Sequence, residues 1–268
     1  MSPQLLRAAW IIFTTHLWRT VTSGRALLCA LLALIPLGAC FLISQFVEEE
    51  GPPPPEATLL MGWFLLVQVL VPLVSLLLGS AAVSEEVEDR TLTYLVTRPF
   101  PRPAVLLGRW MASMVFVTVL LGLSGYAVSN WLVALSGPGD GSVVLPEDFT
   151  AGLVRTIVLG GVVYSALFAG AGAFLKRPVL MGLAYTFVIE FLAANAPVGT
   201  QRFTIQYYLK SYLLGDHPEL LDELGRTFLR VELQTPADAL QTLLMIFGAT
   251  LVLGSWRMSR KQFLLTES

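Results

Sequence analysis

The feature that most constrains this chain is a series of apolar stretches, each long enough to cross a lipid bilayer as a helix. A helix of about 20 apolar residues covers the roughly 30 Å of hydrocarbon in a membrane. With 55% hydrophobic residues, 13% charged residues and a mean hydropathy of +0.70, the chain has the composition of a membrane protein. We predict an all-α integral membrane protein with six transmembrane helices, at residues 26–47, 59–83, 105–135, 151–175, 179–197 and 237–256.

A charged segment, residues 84–104, separates the second and third predicted spans. Glu86 and Asp89 lie near its beginning, where carboxylates complement the positive end of a helix dipole. Leu92, Leu95 and Val96 then recur at the spacing of one helix face, before prolines stop the helix. The pattern predicts a short amphipathic helix outside the membrane, with an apolar edge that can enter a groove on another protein. An ordinary solvated loop is the simpler alternative.

Two further segments have the amphipathic pattern of helices outside the hydrocarbon. Residues 1–25 place apolar side chains such as Trp10 along one line, which predicts an interfacial helix. That line suits packing against lipid or against protein equally well. Residues 198–236 predict a small helical element with two helices. One, near 203–214, is aromatic-rich and is expected against the membrane surface, and the other begins near Asp216, which has the signals of a helix start.

The distribution of Lys and Arg predicts how the chain crosses the membrane, because basic residues are enriched in cytoplasmic loops. Twelve of the 17 lie in the amino-terminal segment, the charged segment and its exit, the turn at 176–177 and the carboxyl tail. The connectors at 48–58 and 136–150 contain none. This asymmetry predicts that both termini and residues 84–104 are cytoplasmic, and that residues 198–236 are extracytoplasmic.

Residues 89–102, DRTLTYLVTRPFPR, follow an acidic turn and precede Gly108 and Arg109 at the start of a membrane helix. This stretch resembles the first cytoplasmic coupling helix of ABC-2 type transporter permeases. The resemblance implies that a coupling helix contacts an ATPase subunit through Glu86, Asp89, Arg90, Thr91, Leu92, Leu95, Val96 and Arg98.

The resemblance also implies a function and a set of partners. It implies a permease subunit in the plasma (inner) membrane that pairs with a second permease, the same chain or a relative, and with ABC ATPase subunits. The permease would export or extract a substrate by alternating access, with the coupling helix transmitting ATP-driven movement. ATP and Mg²⁺ would be bound by the partner, and this chain would hold no cofactor and contact membrane lipid. Members of the family have a small extracytoplasmic helical element between spans five and six, which residues 198–236 match.

The sequence lacks the motifs of several other functions. It has no GxxxxGK[S/T] motif to hold nucleotide phosphates and no HExxH or GxSxG motif of a hydrolase. Its basic residues are dispersed and its net charge is −2, so we expect no nucleic-acid partner. We expect no enzyme activity and no metal in this chain. Two rival classes stay open: a membrane-embedded enzyme that uses Glu190 and Arg155, and a non-transporting anchor that only docks a partner.

Three polar side chains fall inside predicted spans, in the half that is extracytoplasmic in this topology: Gln68, Arg155 and Glu190. Buried ionisable groups are costly in a membrane and often functional, so these residues are candidates for a translocation path. Arg155 and Glu190 lie at similar depth, which allows them to pair. Alternatively, Arg155 extends to the membrane surface and Glu190 is hydrogen-bonded inside the bundle.

The fourth predicted span carries a face of small side chains. Small side chains let two membrane helices approach closely, so we expect this face to serve packing rather than substrate contact. Its members recur every four residues and are Gly161, Ser165, Ala169 and Ala173.

Overall fold

A computed structural model of the chain describes residues 3–50, 53, 55–88, 102–135, 148–175, 177–193, 200–215 and 233–260. Within these ranges all regular structure is helical and no strand occurs. Most of the predicted coupling helix, residues 89–101, lies outside the described residues. Residues 216–232, where the second extracytoplasmic helix is predicted, also lie outside them.

The described part of the chain contains nine α-helices. In chain order the α-helices are α1 (Pro3–Val21), α2 (Gly24–Glu50), α3 (Pro55–Gly62), α4 (Val71–Glu88), α5 (Arg102–Leu135), α6 (Phe149–Phe174), α7 (Pro178–Ala184), α8 (Ile205–Leu214) and α9 (Pro236–Arg260). Two π-helical segments join or extend them, π1 (Trp63–Leu70) between α3 and α4 and π2 (Tyr185–Ala193) after α7. A 3₁₀ turn, Thr200–Phe203, precedes α8.

Five of the described helical stretches are long and apolar enough to cross a membrane: Gly24–Phe46, Ala57–Ser80, Leu106–Leu135, Phe149–Phe174 and Pro236–Arg257. They agree with five of the six predicted spans to within a few residues, and they make the chain a multi-pass membrane protein.

The remaining prediction, residues 179–197, corresponds to the shorter apolar helix Pro178–Ala193. At 1.5 Å per residue its 16 residues reach about 24 Å, less than the roughly 30 Å of a hydrocarbon core. Residues 194–197 lie outside the described part of the chain. At the other end of the second span, the helix continues to Glu88, so residues 84–88 of the predicted coupling segment prolong α4.

A proline within α2 explains one of the contacts between α2 and α5. Pro36 has no N–H, and its ring crowds the carbonyl groups of the preceding turn, which weakens their hydrogen bonds within the helix. The hydroxyl of Ser124 on α5 donates to the carbonyl of Ala33 at 2.8 Å. This bond attaches α2 to the bundle, whereas many of the large apolar side chains of α2 are exposed, as expected for a helix that faces lipid.

The centre of the bundle is α6, which lies beside α4 and α5. A Cβ added to Gly79 of α4 would lie 3.0 Å from the carbonyl oxygen of Ser165, and a Cβ added to Gly161 would lie 3.2 Å from Val117 of α5. The close approach therefore depends on small residues on both sides. All four members of the predicted packing face are buried: Gly161, Ser165, Ala169 and Ala173.

Helix α1 packs against α5 on one side and is open on another. A Cβ added to Gly108 of α5 would lie 2.6 Å from the carbonyl oxygen of Ala9, so the two backbones touch. Trp10 and Trp18 of α1 are exposed, and tryptophan concentrates at membrane–water interfaces. Helix α1 therefore contacts protein through one face, and contact of its exposed face with lipid stays a prediction.

We expect Gly108→Ala to displace α1 from α5, since the added methyl group meets backbone that cannot move aside. Overpacking of this kind costs about 1–3 kcal/mol. Hydrogen–deuterium exchange over Pro3–Val21 should become faster in this variant. Gly248→Ala is the matched control, because a Cβ there would meet nothing within 4 Å, and its exchange over α1 should equal that of the wild type. Unchanged exchange in both variants would contradict the α1–α5 contact.

We also expect α1 to confer a pH dependence on stability. Burial, and then the charges of Arg109 and Arg19, lower the pKa of His16 from 6.5 to about 4. Because the unfolded chain binds this proton more readily, the stabilisation is complete above pH 6.5 and is lost as the pH falls towards 4. The melting temperature of the wild type should therefore drop between pH 7 and pH 4.5 by more than that of His16→Gln, whose side chain stays neutral. Equal drops would contradict the half-buried position of His16.

Candidate functional site: a buried polar centre

Two π-helical segments, π1 and π2, take part in aromatic contacts inside the bundle. A π-helical segment is rare and often marks a functional site. Phe64 of π1 contacts Phe191 of π2, with ring centroids 6.2 Å apart. Phe168 of α6 contacts Tyr185 of π2, also at 6.2 Å. The segments π1 and π2 and helix α6 therefore surround a common interior.

The π-helical geometry of π2 pairs Tyr185 with Glu190. Residues five apart stack on one face of a π-helix, whereas in an α-helix they would point about 140° apart. The hydroxyl of Tyr185 donates to Oε1 of Glu190. Glu190 is only 1% exposed, so its carboxylate depends on partners inside the protein.

Glu190 also caps the first turn of α8. The backbone N–H of Ile205 donates to its Oε1 and the N–H of Gln206 to its Oε2, each at 3.1 Å. These donors have no partner within the helix, and the positive end of the helix dipole favours a carboxylate. Thr204 completes the cap, because its side-chain oxygen accepts from the N–H of Tyr207 at 3.2 Å. Hydrogen bonds to an ionised group are strong, and Glu190 therefore fixes the beginning of α8.

Helix α8 runs antiparallel to π1. Nε2 of Gln206 donates to the carbonyl of Val67 at 3.0 Å. One turn later, Nζ of Lys210 lies 5.7 Å above the ring of Trp63, a cation–π distance. On the other side, a Cβ on Gly160 of α6 would lie 3.1 Å from Cδ1 of Leu209. Helix α8 therefore packs between π1 and α6.

The prediction that the 203–214 helix lies against the membrane surface is wrong. Most of the side chains of Ile205–Leu214 are buried. Val67, which contacts the first turn of α8, lies ten residues inside the span Ala57–Ser80, or about 15 Å along a helix. The helix ends near Gly152, whose Cβ position lies 3.5 Å from Leu213, close to the start of α6. Helix α8 is therefore re-entrant, since it begins deep in the bundle and ends near the edge.

Two polar atoms beside Glu190 have no hydrogen-bond partner within the described part of the chain, the hydroxyl of Tyr164 and Oε1 of Gln206. The hydroxyl of Tyr164 lies alongside Glu190 and Gln206 without hydrogen-bond geometry to either. Buried polar atoms in proteins are nearly always paired with protein or water. We call Tyr164, Tyr185, Glu190 and Gln206 the polar centre. Its open hydrogen-bonding capacity suits water or a polar group of a ligand.

The three polar residues predicted inside the spans have different environments. Glu190 belongs to the polar centre. Gln68 lies on π1 next to Val67 and is buried, and its Nε2 has no partner among the described residues. Arg155 is exposed on α6, and the carboxylate of Glu190 is occupied by other donors. The predicted pairing of Arg155 with Glu190 is therefore wrong, and the alternative of a hydrogen-bonded Glu190 describes this site.

Sequence reasoning missed most of the polar centre. The pairing of Tyr185 with Glu190 requires π-helical spacing, which the α-helical period hides. Tyr164 lies among small and apolar residues of a predicted span and looks like an ordinary packing residue. The Ser/Thr cap rule applied to Thr204 would have placed the start of a helix at 205, although not its depth.

Two further predictions, on metal binding and on the ATPase contacts, can be compared with the structure only for the residues that it describes. The described ranges contain no group of three His, Cys, Asp or Glu side chains that could hold a metal ion. Of the predicted ATPase contacts, Glu86 lies in the last turn of α4. The others lie outside the described residues: Asp89, Arg90, Thr91, Leu92, Leu95, Val96 and Arg98.

The chain matches a known protein family. The family model described as "ABC-2 family transporter protein" matches residues 10–261, nearly the whole chain. No curated protein matches the chain.

Proposed function

The chain belongs to the ABC-2 family of transporter proteins, and we propose that it is the permease subunit of an ATP-driven exporter. In this proposal it pairs with a second permease, the same chain or a relative, and with separate ABC ATPase subunits that bind ATP and Mg²⁺. The chain itself holds no cofactor and catalyses no reaction. It resides in the plasma (inner) membrane with both termini in the cytoplasm, as the distribution of Lys and Arg favours.

The polar centre is the observation that supports transport rather than anchoring. An anchor needs only apolar helices, and buried polar groups in a membrane are costly. Here a carboxylate, two tyrosine hydroxyls and an amide lie between two spans and a re-entrant helix. Hydrogen bonds that hold a re-entrant helix can break and re-form as the surrounding spans move. We propose that α8 closes the extracytoplasmic side of the path, with Glu190 as its hinge contact.

Coupling to ATP is assigned to residues 84–104. The α4 helix carries the chain from the membrane span into this segment without a break up to Glu88. A push on the segment would therefore be transmitted along one rigid helix to π1 and the polar centre. The apolar edge formed by Leu92, Leu95 and Val96 would enter a groove on the ATPase subunit.

Reconstitution with a candidate ABC ATPase subunit, chosen because its gene neighbours this one and carries Walker motifs, tests the proposal. The full-length chain should co-purify with that ATPase and raise its ATP hydrolysis in lipid nanodiscs, and the chain alone should hydrolyse no ATP. A stable complex with unchanged hydrolysis would instead support a non-transporting anchor. Hydrolysis by the isolated chain would point to a membrane enzyme.

A further inference from the structure

The elbow that leads into α8, residues 200–204, lies at membrane depth. Thr204 immediately precedes Ile205, which donates to Glu190. The next residue, Gln206, bonds to Val67, about 15 Å inside the span Ala57–Ser80. The 3₁₀ turn also packs against π2. The elbow is therefore well below the edge of the roughly 30 Å hydrocarbon layer.

The elbow presents a cation outward at this depth. Thr204, where the backbone is extended (φ −102°, ψ 145°), is itself covered by protein. Arg202 is exposed and Phe203 is 85% exposed. The carbonyl of Arg202 accepts from the hydroxyl of Tyr208 at 2.9 Å, so the backbone is held while the side chain projects outward. No carboxylate pairs with Arg202 in the part of the chain that the structure describes.

Contact with the hydrocarbon of lipid would be energetically unfavourable for Arg202. A guanidinium is always ionised, and facing hydrocarbon is costly for it. We propose that the elbow lines the aqueous translocation path and that Arg202 binds an anionic group of the substrate, of the kind shared by phospholipid headgroups and free phosphates. This rests on the proposed transport function and deepens it.

The chemistry of Arg202 fits that role. Its planar guanidinium group can donate two parallel hydrogen bonds to a phosphate or carboxylate. Glu190, the nearby carboxylate, does not compete for the guanidinium, because the hydroxyl of Tyr185 and two backbone N–H groups already occupy it. A cation fixed in a water-filled path also raises the local concentration of anions.

Thiol labelling tests the path without knowledge of the substrate. The full chain, with Cys29→Ala and Cys40→Ala, carries Phe203→Cys and is placed in nanodiscs of phosphatidylcholine. The introduced thiol should react with 2-sulfonatoethyl methanethiosulfonate roughly tenfold faster than with the cationic trimethylammonium reagent, after correction for intrinsic rates. Adding Arg202→Gln should remove that preference. Leu34→Cys, at an exposed position within α2, is the lipid-facing control and should react with neither reagent.

Two protection arms identify the source of the anion. Slower labelling with millimolar inorganic phosphate would indicate that Arg202 binds a free phosphate compound. Slower labelling after phosphatidylglycerol is added to the nanodisc would indicate that it binds a lipid headgroup. If neither phosphate nor phosphatidylglycerol slows the labelling, the proposal that Arg202 binds an anionic group of the substrate is wrong. No reaction of the Phe203→Cys variant, or equal rates with both reagents, would overturn the path itself. Because labelling needs no ATPase, the two experiments are independent. Labelling can contradict the role of the elbow while reconstitution supports transport, and labelling can support that role while reconstitution fails.

Discussion

Replacing Glu190 with alanine is expected to free α8 from the bundle. The change leaves the N–H groups of Ile205 and Gln206 and the hydroxyl of Tyr185 without their acceptor. Each buried group that loses its partner costs about 1–3 kcal/mol, so the free energy of unfolding should fall by about 3–9 kcal/mol. Hydrogen–deuterium exchange over Ile205–Leu214 should become much faster than exchange over the other described helices.

Two matched variants separate this effect from general damage. Glu190→Gln keeps one oxygen as an acceptor, and its loss should be smaller, about 1–3 kcal/mol. Arg155→Gln removes an exposed charge and should change stability by less than about 0.5 kcal/mol. The double variant Arg155→Glu/Glu190→Arg should show no rescue, since the two residues have different neighbours. Rescue by the charge swap, or normal exchange of α8 in Glu190→Ala, would contradict the structure of the polar centre.

The second large effect is expected from the apolar edge of the coupling segment. If Leu92 and Leu95 are buried in a groove on the ATPase subunit, truncating one of them should remove about 2–5 kcal/mol of packing. That loss corresponds to roughly 30- to 5,000-fold weaker binding. Leu92→Ala/Leu95→Ala should therefore yield a permease that is inserted normally in the membrane but neither co-purifies with the ATPase nor stimulates it.

Variants at the ends of the same segment are the control for this experiment. Glu85→Ala and Arg102→Ala change charges that are expected to be solvated, and such changes usually matter little. They should preserve most of the co-purification. Full assembly and full stimulation with both leucines removed would mean that the segment between α4 and α5 does not couple the permease to the ATPase.

Much of the fold could be predicted from hydropathy, because the bilayer imposes a length and a polarity on every spanning helix. Five spans agree with the structure for that reason. The Pro178–Ala193 helix shows the limit of the rule. Its composition is that of a span, but it ends at the level where α8 begins, since Glu190 near its end bonds to the first turn of α8. Sequence does not reveal that two short helices meet in mid-membrane.

The candidate site was less accessible to sequence reasoning. Glu190 was found because an acid in an apolar stretch is conspicuous, whereas its partners are not. Gln206 sits in a segment that reads as polar and extracytoplasmic, and only the bond to the carbonyl of Val67 shows its depth. Arg155 was conspicuous for the same reason as Glu190, but its side chain is exposed on α6. A charge in a span therefore identifies a residue to examine, and the tertiary structure decides its partner.

In the proposed mechanism, ATP binding at the partner subunit moves the re-entrant helix at the polar centre. Spin labels at Val69 of π1 and Phe203 of the elbow, both exposed positions, report the distance between the two elements by pulsed electron paramagnetic resonance. In the reconstituted complex we expect ATP to shift this distance distribution, and we expect no shift in Leu92→Ala/Leu95→Ala. An identical distribution with and without ATP, in a complex that hydrolyses ATP at the normal rate, would contradict the claim.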